Sequence, residues 1–201
     1  MRKDFYIFRH GQSSYNVEGR TQGQTNDSVL TDLGKEQALT VGERLKDKGV
    51  EIIVTSPLKR AMQTAELANK SLELPIETDN HFIEVNVGVV EGMHYTKIRD
   101  EYTDIFNKMH TPGNEFEDVC YPGGETRKEV RERIFEGLEQ WANNPKYTTI
   151  AVSSHGIMLA QTLVALGQSQ TDIKNGAILH IKKEEGKWSI VEWLWLKMNN
   201  K

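Results

Sequence analysis

One cysteine, Cys120, stands in the 201 residues, so no intramolecular disulfide and no cysteine-built zinc cluster can form. Its neighbours Asp118, Val119 and Tyr121 bring no cation to lower a thiol pKa, and it reads as an incidental thiol rather than a nucleophile. No stretch approaches the roughly 18 consecutive apolar residues of a membrane span. The apolar patch in MRKDFYIFRHG is too short and too interrupted for a signal peptide. A basic excess is missing as well: 25 Lys and Arg face 29 Asp and Glu, a formal charge of −4, and the cations are dispersed. That balance gives no reason to expect a nucleic-acid or membrane surface, and any positive potential must be local. Low-complexity tracts and internal repeats are lacking too. These exclusions leave one soluble domain over residues 1–201, with a reducing cytoplasm as the expected compartment and a small molecule as the expected partner.

Short β-rich runs alternate with amphipathic helices along the chain, the rhythm of an α/β domain. Strands are expected at residues 4–9, 51–56, 75–78 and 148–154. A hairpin follows, AILHIKK and WSIVEWLWL joined at EEGK. Helices are expected from Thr31-Asp32, with Leu33, Ala38, Val41 and Leu45 on one face, and from Ser56-Pro57 as N-cap and first turn. Further helices are expected over residues 95–109, 125–141 and 156–166. The region 94–124 is the least regular and is expected to form a cap over the site, with Phe106, Met109, Phe116 and Tyr121 facing either a ligand or the core.

In an open parallel sheet, ligands bind beyond the carboxyl ends of the strands. Three such ends carry chemistry here. Strand 4–9 ends in Arg9-His10-Gly11, strand 51–56 leads to Arg60, and strand 148–154 ends in Ser154-His155-Gly156. Arg-His-Gly by itself arises by chance in about one chain in a hundred of this length. Two histidines and two arginines converging on one sheet edge are a different matter. They suit a phosphate dianion, because guanidinium groups bind phosphoryl oxygens bidentately and keep their charge. Glycines 11 and 156 let the backbone approach such a ligand. A metal competes weakly: arginines crowd the same place, and no carboxylate accompanies either histidine in sequence.

RHGQSSYNVEGRTQGQTNDSVLTDLGKEQA resembles the opening signature of the histidine phosphatase superfamily. The resemblance continues through TSPLKRAMQTA, IEVNVGVVEG and PGGET to SSHGIMLAQ, in order and over most of the chain. It implies a phosphoglycerate mutase-like fold, a three-layer α/β/α arrangement with a mostly parallel mixed sheet. It implies His10 as the nucleophile that becomes a phosphohistidine, Arg9 and Arg60 as clamps on the phosphoryl oxygens, and His155 as a further donor. Asn16 would add a neutral donor. Gln22, Gly23 and Gly156 would line the phosphate pocket, Gly23 through its backbone. Glu84 is implied as the proton donor, with Glu91 its rival in the same stretch. No metal and no other cofactor is implied. The chain departs from the family pattern at Gln12, Tyr15, Val87 and Val90, which bears on the shape of the substrate pocket and removes no catalytic group.

The implied activity is a metal-independent phosphomonoesterase acting on small phosphorylated metabolites. One alternative is a cofactor-dependent phosphoglycerate mutase, which uses the same groups. That class carries extra segments and a Phe-x-Gly-Trp motif where this chain reads Gly19-Arg20-Thr21-Gln22-Gly23. The other alternative is a non-enzymatic phospho-ligand binder. His81, His94 and His110 read as solvated loop histidines and His180 as an outward strand residue. Trp188, Trp193 and Trp195 read as strand packing or a homodimer contact, and Lys182, Lys183, Glu184 and Glu185 as a solvated hairpin tip.

Overall fold

The computed structural model describes residues 2–111, 115–168 and 173–194. At its centre β1 (Lys3–Arg9) runs parallel to β4 (Thr149–Ser154), β4 runs parallel to β2 (Ile52–Thr55), and the short β3 (Ile76–Thr78) closes that edge. On the other side β5 (Ile178–Glu184) pairs antiparallel with β1, and β6 (Lys187–Leu194) pairs antiparallel with β5. The order is β3-β2-β4-β1-β5-β6. Four parallel strands and an antiparallel hairpin make the sheet mixed, as expected. The hairpin turns on Glu185 and Gly186, both left-handed with φ of 51° and 78°, the conformation a tight two-residue turn requires.

The alternation of side chains along β1 explains the layers. Phe5 and Ile7 face the helices α6 (Arg127–Ala142) and α7 (Gly156–Ala165), packing with Val130, Ile134, Leu138, Leu159 and Leu163. Tyr6 and Phe8 face the opposite side, where α2 (Asp32–Leu45) and α3 (Lys59–Ala68) supply Val41, Leu45, Ala65 and Ala68. The fold is thus the expected three-layer α/β/α. Thr31 caps α2 by accepting the Gly34 N–H. Thr126 and Glu129 form a capping box at the start of α6, worth about 1 kcal/mol for its Thr.

Five local expectations are corrected. The polar stretch after Gly11 contains a short helix, α1 (Ser14–Glu18). The helix expected over residues 95–109 is two, α4 (Tyr95–Glu101) and α5 (Thr103–His110), broken at Tyr102, whose ring meets Tyr121 edge-on. Ser56 does not cap α3; that helix starts at Lys59 after Leu58, and the Ser56 hydroxyl is engaged by His155 instead. His180 does not face solvent: it is 5% exposed, stacked on Tyr6, with Nε2 2.7 Å from Asp4 Oδ1. Lys183 is likewise drawn off the hairpin tip, donating to Glu139 and lying over the Trp188 ring.

Phe106, Met109 and Tyr121 pack on the core. Trp188 packs between Phe5 and Phe135 and donates to Glu139. Trp195 lies outside the described residues. Among the described residues no helix is long and apolar enough to cross a membrane.

Candidate active site

Strand register builds the site. Arg9 on β1 stands beside Ser154 on β4, and Thr55 on β2 stands beside Ser153, so the chain leaves three neighbouring strands at one level. His10, Ser56 and His155 are the next residues out. Around this edge lies a cavity of about 290 Å³, lined by Arg9, His10, Asn16, Gln22, Gly23, Arg60, Glu84 and Gly156 among others. Eight of the nine sequence-derived site residues therefore share one cavity wall. The ninth, His155, is fully buried and stands behind His10, the two ring centroids 5.3 Å apart.

His10 is 2% exposed, and its Nδ1 lies 2.7 Å from the carbonyl oxygen of Gly11. A carbonyl only accepts, so Nδ1 carries the proton and Nε2 keeps its lone pair. Among the described residues Nε2 has no hydrogen-bond partner. Burial, then the Arg60 and Arg9 guanidiniums, hold the His10 pKa well below the ordinary histidine range. The imidazole is therefore neutral at physiological pH, the state that can attack an electrophile. His155 is held low by burial, Arg60, His10 and Arg9 in turn. Its Nε2 is 2.7 Å from Ser56 Oγ, while its buried Nδ1 has no partner.

Arg60, 1% exposed, is pinned by two carbonyls: Nη1 donates to Thr25 at 3.0 Å and Nη2 to Gly23 at 2.7 Å. Burial brings its pKa down to about 10, which leaves it charged at neutral pH. Its Nε is buried without a partner. Arg9 reaches across to the Ile173 carbonyl. Gly23 adopts φ +50°, and a Cβ there would sit 2.5 Å from Glu91 Oε1 and 2.6 Å from Val87 Cγ2, so this turn needs glycine twice over. A Cβ at Gly156 would press on the Arg9 guanidinium at 3.3 Å. Gly156 thus makes room for the arginine.

Two amides are oriented by what they accept. Asn16 Oδ1 receives Ser13 N, Ser13 Oγ and Asn175 Nδ2, at 3.1, 3.0 and 3.2 Å. Gln22 Oε1 lies 2.9 Å from the same Ser13 Oγ, whose single proton the two amide oxygens share. With its oxygen held by the Ser13 and Asn175 N–H groups, Asn16 keeps its NH₂ free to donate to the cavity it lines. Glu84 is 7% exposed, its Oε1 accepting Val85 N at 3.0 Å and its Oε2 accepting Ile157 N at 3.3 Å. Burial raises its pKa, against the pull of the Val85 N–H and of Arg60. Glu91 accepts the Gln24 N–H at 2.8 Å and shapes the loop around Gly23.

The remaining histidines stand elsewhere. His81 bonds Asp79, His94 caps α4, and His110 bonds the Phe106 carbonyl. Among the described residues no group of three or more His, Cys, Asp or Glu side chains is placed to hold a metal ion. Several cavity residues were given no place in the site by the sequence reading: Arg20, Tyr95, Ile157, Ala160 and Ile173. Asn175, which donates to the His10 carbonyl at 3.0 Å, escaped it too. Asn175 lies 165 residues from His10, and no local spacing could have paired them. Tyr95 was the one residue of the 94–124 region with a visible signal, since it opens a helix just after the acidic loop.

The sequence matches the histidine phosphatase superfamily (branch 1) over residues 5–196. It is 30% identical over 195 residues, 94% of this chain and 89% of the other, to a Salmonella paratyphi B protein named "Probable phosphoglycerate mutase GpmB". Bacillus stearothermophilus YhfR superposes with a TM-score of 0.84 at 26% identity, covering 94% of this chain and 95% of the other. A mycobacterial glucosyl-3-phosphoglycerate phosphatase complexed with VO3 superposes with a TM-score of 0.82 at 25% identity, over 95% and 98% of the two chains. With the match running from the first strand to beyond the last, the chain belongs to the histidine phosphatase superfamily, branch 1.

Proposed function

We infer that the protein is a phosphomonoesterase that hydrolyses small phosphorylated metabolites through a phosphohistidine at His10. One observation carries this: a neutral imidazole tethered at Nδ1 shares a cavity with two guanidiniums and a buried carboxyl group of raised pKa. The phosphoryl group would sit between Arg9 and Arg60, with the amides of Asn16 and Gln22 as neutral donors. The buried Nδ1 of His155 and Nε of Arg60 are the groups a phosphoryl oxygen would satisfy. Phosphoryl transfer of this kind needs positioning and charge neutralisation more than a strong base.

In the first step His10 Nε2 forms a bond to phosphorus as the ester P–O bond breaks, and the leaving oxygen takes the proton of the Glu84 carboxyl. In the second, water forms the new P–O bond as the P–N bond breaks, and its proton returns to the Glu84 carboxylate. Inorganic phosphate leaves, and His10 and Glu84 regain their starting states.

A mutase reading draws support from the name of the Salmonella relative. The cavity walls favour hydrolysis. Among the described residues, the lining beyond Arg9 and Arg60 holds one cation, Arg20. It is already engaged by the Gly92 carbonyl, Glu18 and the Tyr15 ring. Apart from Thr21 and Gly19, the rest of that lining is aromatic or aliphatic, from Tyr15 and Tyr95 to Val87 and Ile173, and it brings no further cation to a second anionic group. The test is steady-state hydrolysis of p-nitrophenyl phosphate and a panel of metabolite phosphates in EDTA, wild type against His10→Ala. EDTA-resistant release of phosphate that is lost in the variant supports the reading. Isomerisation of 3-phosphoglycerate without phosphate release moves it to mutase, and tight vanadate binding without turnover moves it to a phospho-ligand binder.

A further inference from the structure

The PGGET motif, residues 122–126 with Tyr121 before it, lies outside the cavity wall, and nothing in the chemistry above uses it. Its glutamate is nevertheless tied to the acid loop. Glu125 N donates to the Asn86 carbonyl at 2.7 Å, and Glu125 Oε2 accepts Asn86 N at 2.8 Å. The same carboxylate makes a two-pronged pair with Arg133 of α6, Nε to Oε1 and Nη2 to Oε2, both at 3.0 Å. The remaining nitrogen, Arg133 Nη1, donates to the carbonyls of His81 and Ile83, each at 2.9 Å. One ion pair therefore grips the backbone at 81 and 83 on one side of Glu84 and at 86 on the other. The Glu84 carbonyl itself is held by Gln24 Nε2 at 3.0 Å.

We propose that Glu125 and Arg133 are positioning residues that lock the backbone on both sides of Glu84 and so keep its carboxyl inside the cavity. The proposal rests on the assignment of Glu84 as proton donor. The N–H groups of Val85 and Ile157 reach the Glu84 carboxyl only while the loop backbone keeps its place, and a loop without regular structure has no ladder of its own to keep it there. A planar guanidinium suits the task, because it can satisfy a carboxylate on one edge and two carbonyls on the other. The three-residue 3₁₀ turn Gly88–Val90 that follows is seated on the same motif: a Cβ at Gly88 would lie 2.1 Å from the Pro122 carbonyl oxygen.

The test compares Glu125→Gln and Arg133→Lys with wild type on two substrates of different leaving group. An alkyl phosphate needs its oxygen protonated as it departs; p-nitrophenyl phosphate does not. Loss of a well-placed general acid costs on the order of 10²–10⁴ in rate, and displacement costs part of that. The expected result is a fall in kcat/KM, which reports the first step alone, of about 30-fold on the alkyl ester and less than about threefold on p-nitrophenyl phosphate, with vanadate inhibition unchanged. Equal losses on both substrates with weakened vanadate inhibition would reduce the pair to scaffolding, and unchanged rates would overturn the proposal outright. A second readout does not depend on turnover: the carboxylic C=O infrared band of Glu84, isolated by difference against Glu84→Gln and titrated with pH. Its midpoint should move down in Glu125→Gln, and an unmoved midpoint overturns the clamp. If wild type hydrolyses neither ester, the phosphatase reading fails, and the infrared titration still decides the clamp.

Discussion

His10 Nδ1 stands 2.7 Å from the carbonyl oxygen of its own neighbour, Gly11. That contact fixes the tautomer before any substrate arrives, because the carbonyl can only take a proton. On the proposed phosphohistidine route the nucleophile is then Nε2. Substituting His10 by Ala should lower kcat by about 10³-fold or more, since the covalent route disappears. Initial-rate kinetics on p-nitrophenyl phosphate check this.

Arg60 uses two of its nitrogens on the Thr25 and Gly23 carbonyls and has a third buried without a partner. A lysine cannot hold two carbonyls and a phosphoryl oxygen in one plane. Arg60→Lys should therefore lose about 10²-fold in kcat/KM and weaken vanadate inhibition in parallel. An effect confined to thermal stability would contradict the clamp role.

The pH profile follows from two shifts of opposite sense. His10 must be neutral, and its pKa is lowered; Glu84 must be protonated for the first step, and its pKa is raised. The acid limb of kcat/KM should lie below the ordinary histidine range and the alkaline limb above the ordinary carboxylate range. The optimum should therefore be mildly acidic. Glu84→Gln should abolish the alkaline limb and depress alkyl-ester hydrolysis far more than p-nitrophenyl phosphate hydrolysis, as rate profiles over pH would reveal.

Stability should follow the buried imidazoles. Their folded pKa values lie below the unfolded value near 6.5, so the unfolded chain binds more protons in acid and stability falls as pH drops below about 6.5. Each histidine contributes at most about 1.4 kcal/mol per pH unit. Glu84 works in the opposite direction, because its raised folded pKa makes the folded state bind the extra proton. Denaturant unfolding at a series of pH values should give a shallower acid slope for the His10→Asn, His155→Asn double variant than for wild type.

The sheet and the location of the site were legible because parallel strands announce themselves as short apolar runs, and because Arg9-His10-Gly11, Arg60 and Ser154-His155-Gly156 each come at or after the end of one of them. His10, Arg60 and His155 needed only that rule to be brought together. What the sequence hid was set by tertiary partners. His180 alternates with apolar neighbours and reads as outward, yet Asp4 and the Tyr6 ring make an inward position habitable. Ser56 before a proline reads as a cap, yet His155 takes its hydroxyl. The break at Tyr102 has no glycine or proline to mark it. Glu125 was visible as part of PGGET, but its grip on Asn86 spans 39 residues and could only be seen folded.

The most direct measurement is to trap the covalent intermediate. Wild-type enzyme mixed with a phosphate ester, quenched in alkali within milliseconds and digested, should yield a peptide phosphorylated on His10 at Nε2, with Glu84→Gln accumulating more of it from p-nitrophenyl phosphate. A phosphoryl group found on another residue, or rapid turnover with no phosphopeptide at any quench time, would contradict the phosphohistidine route.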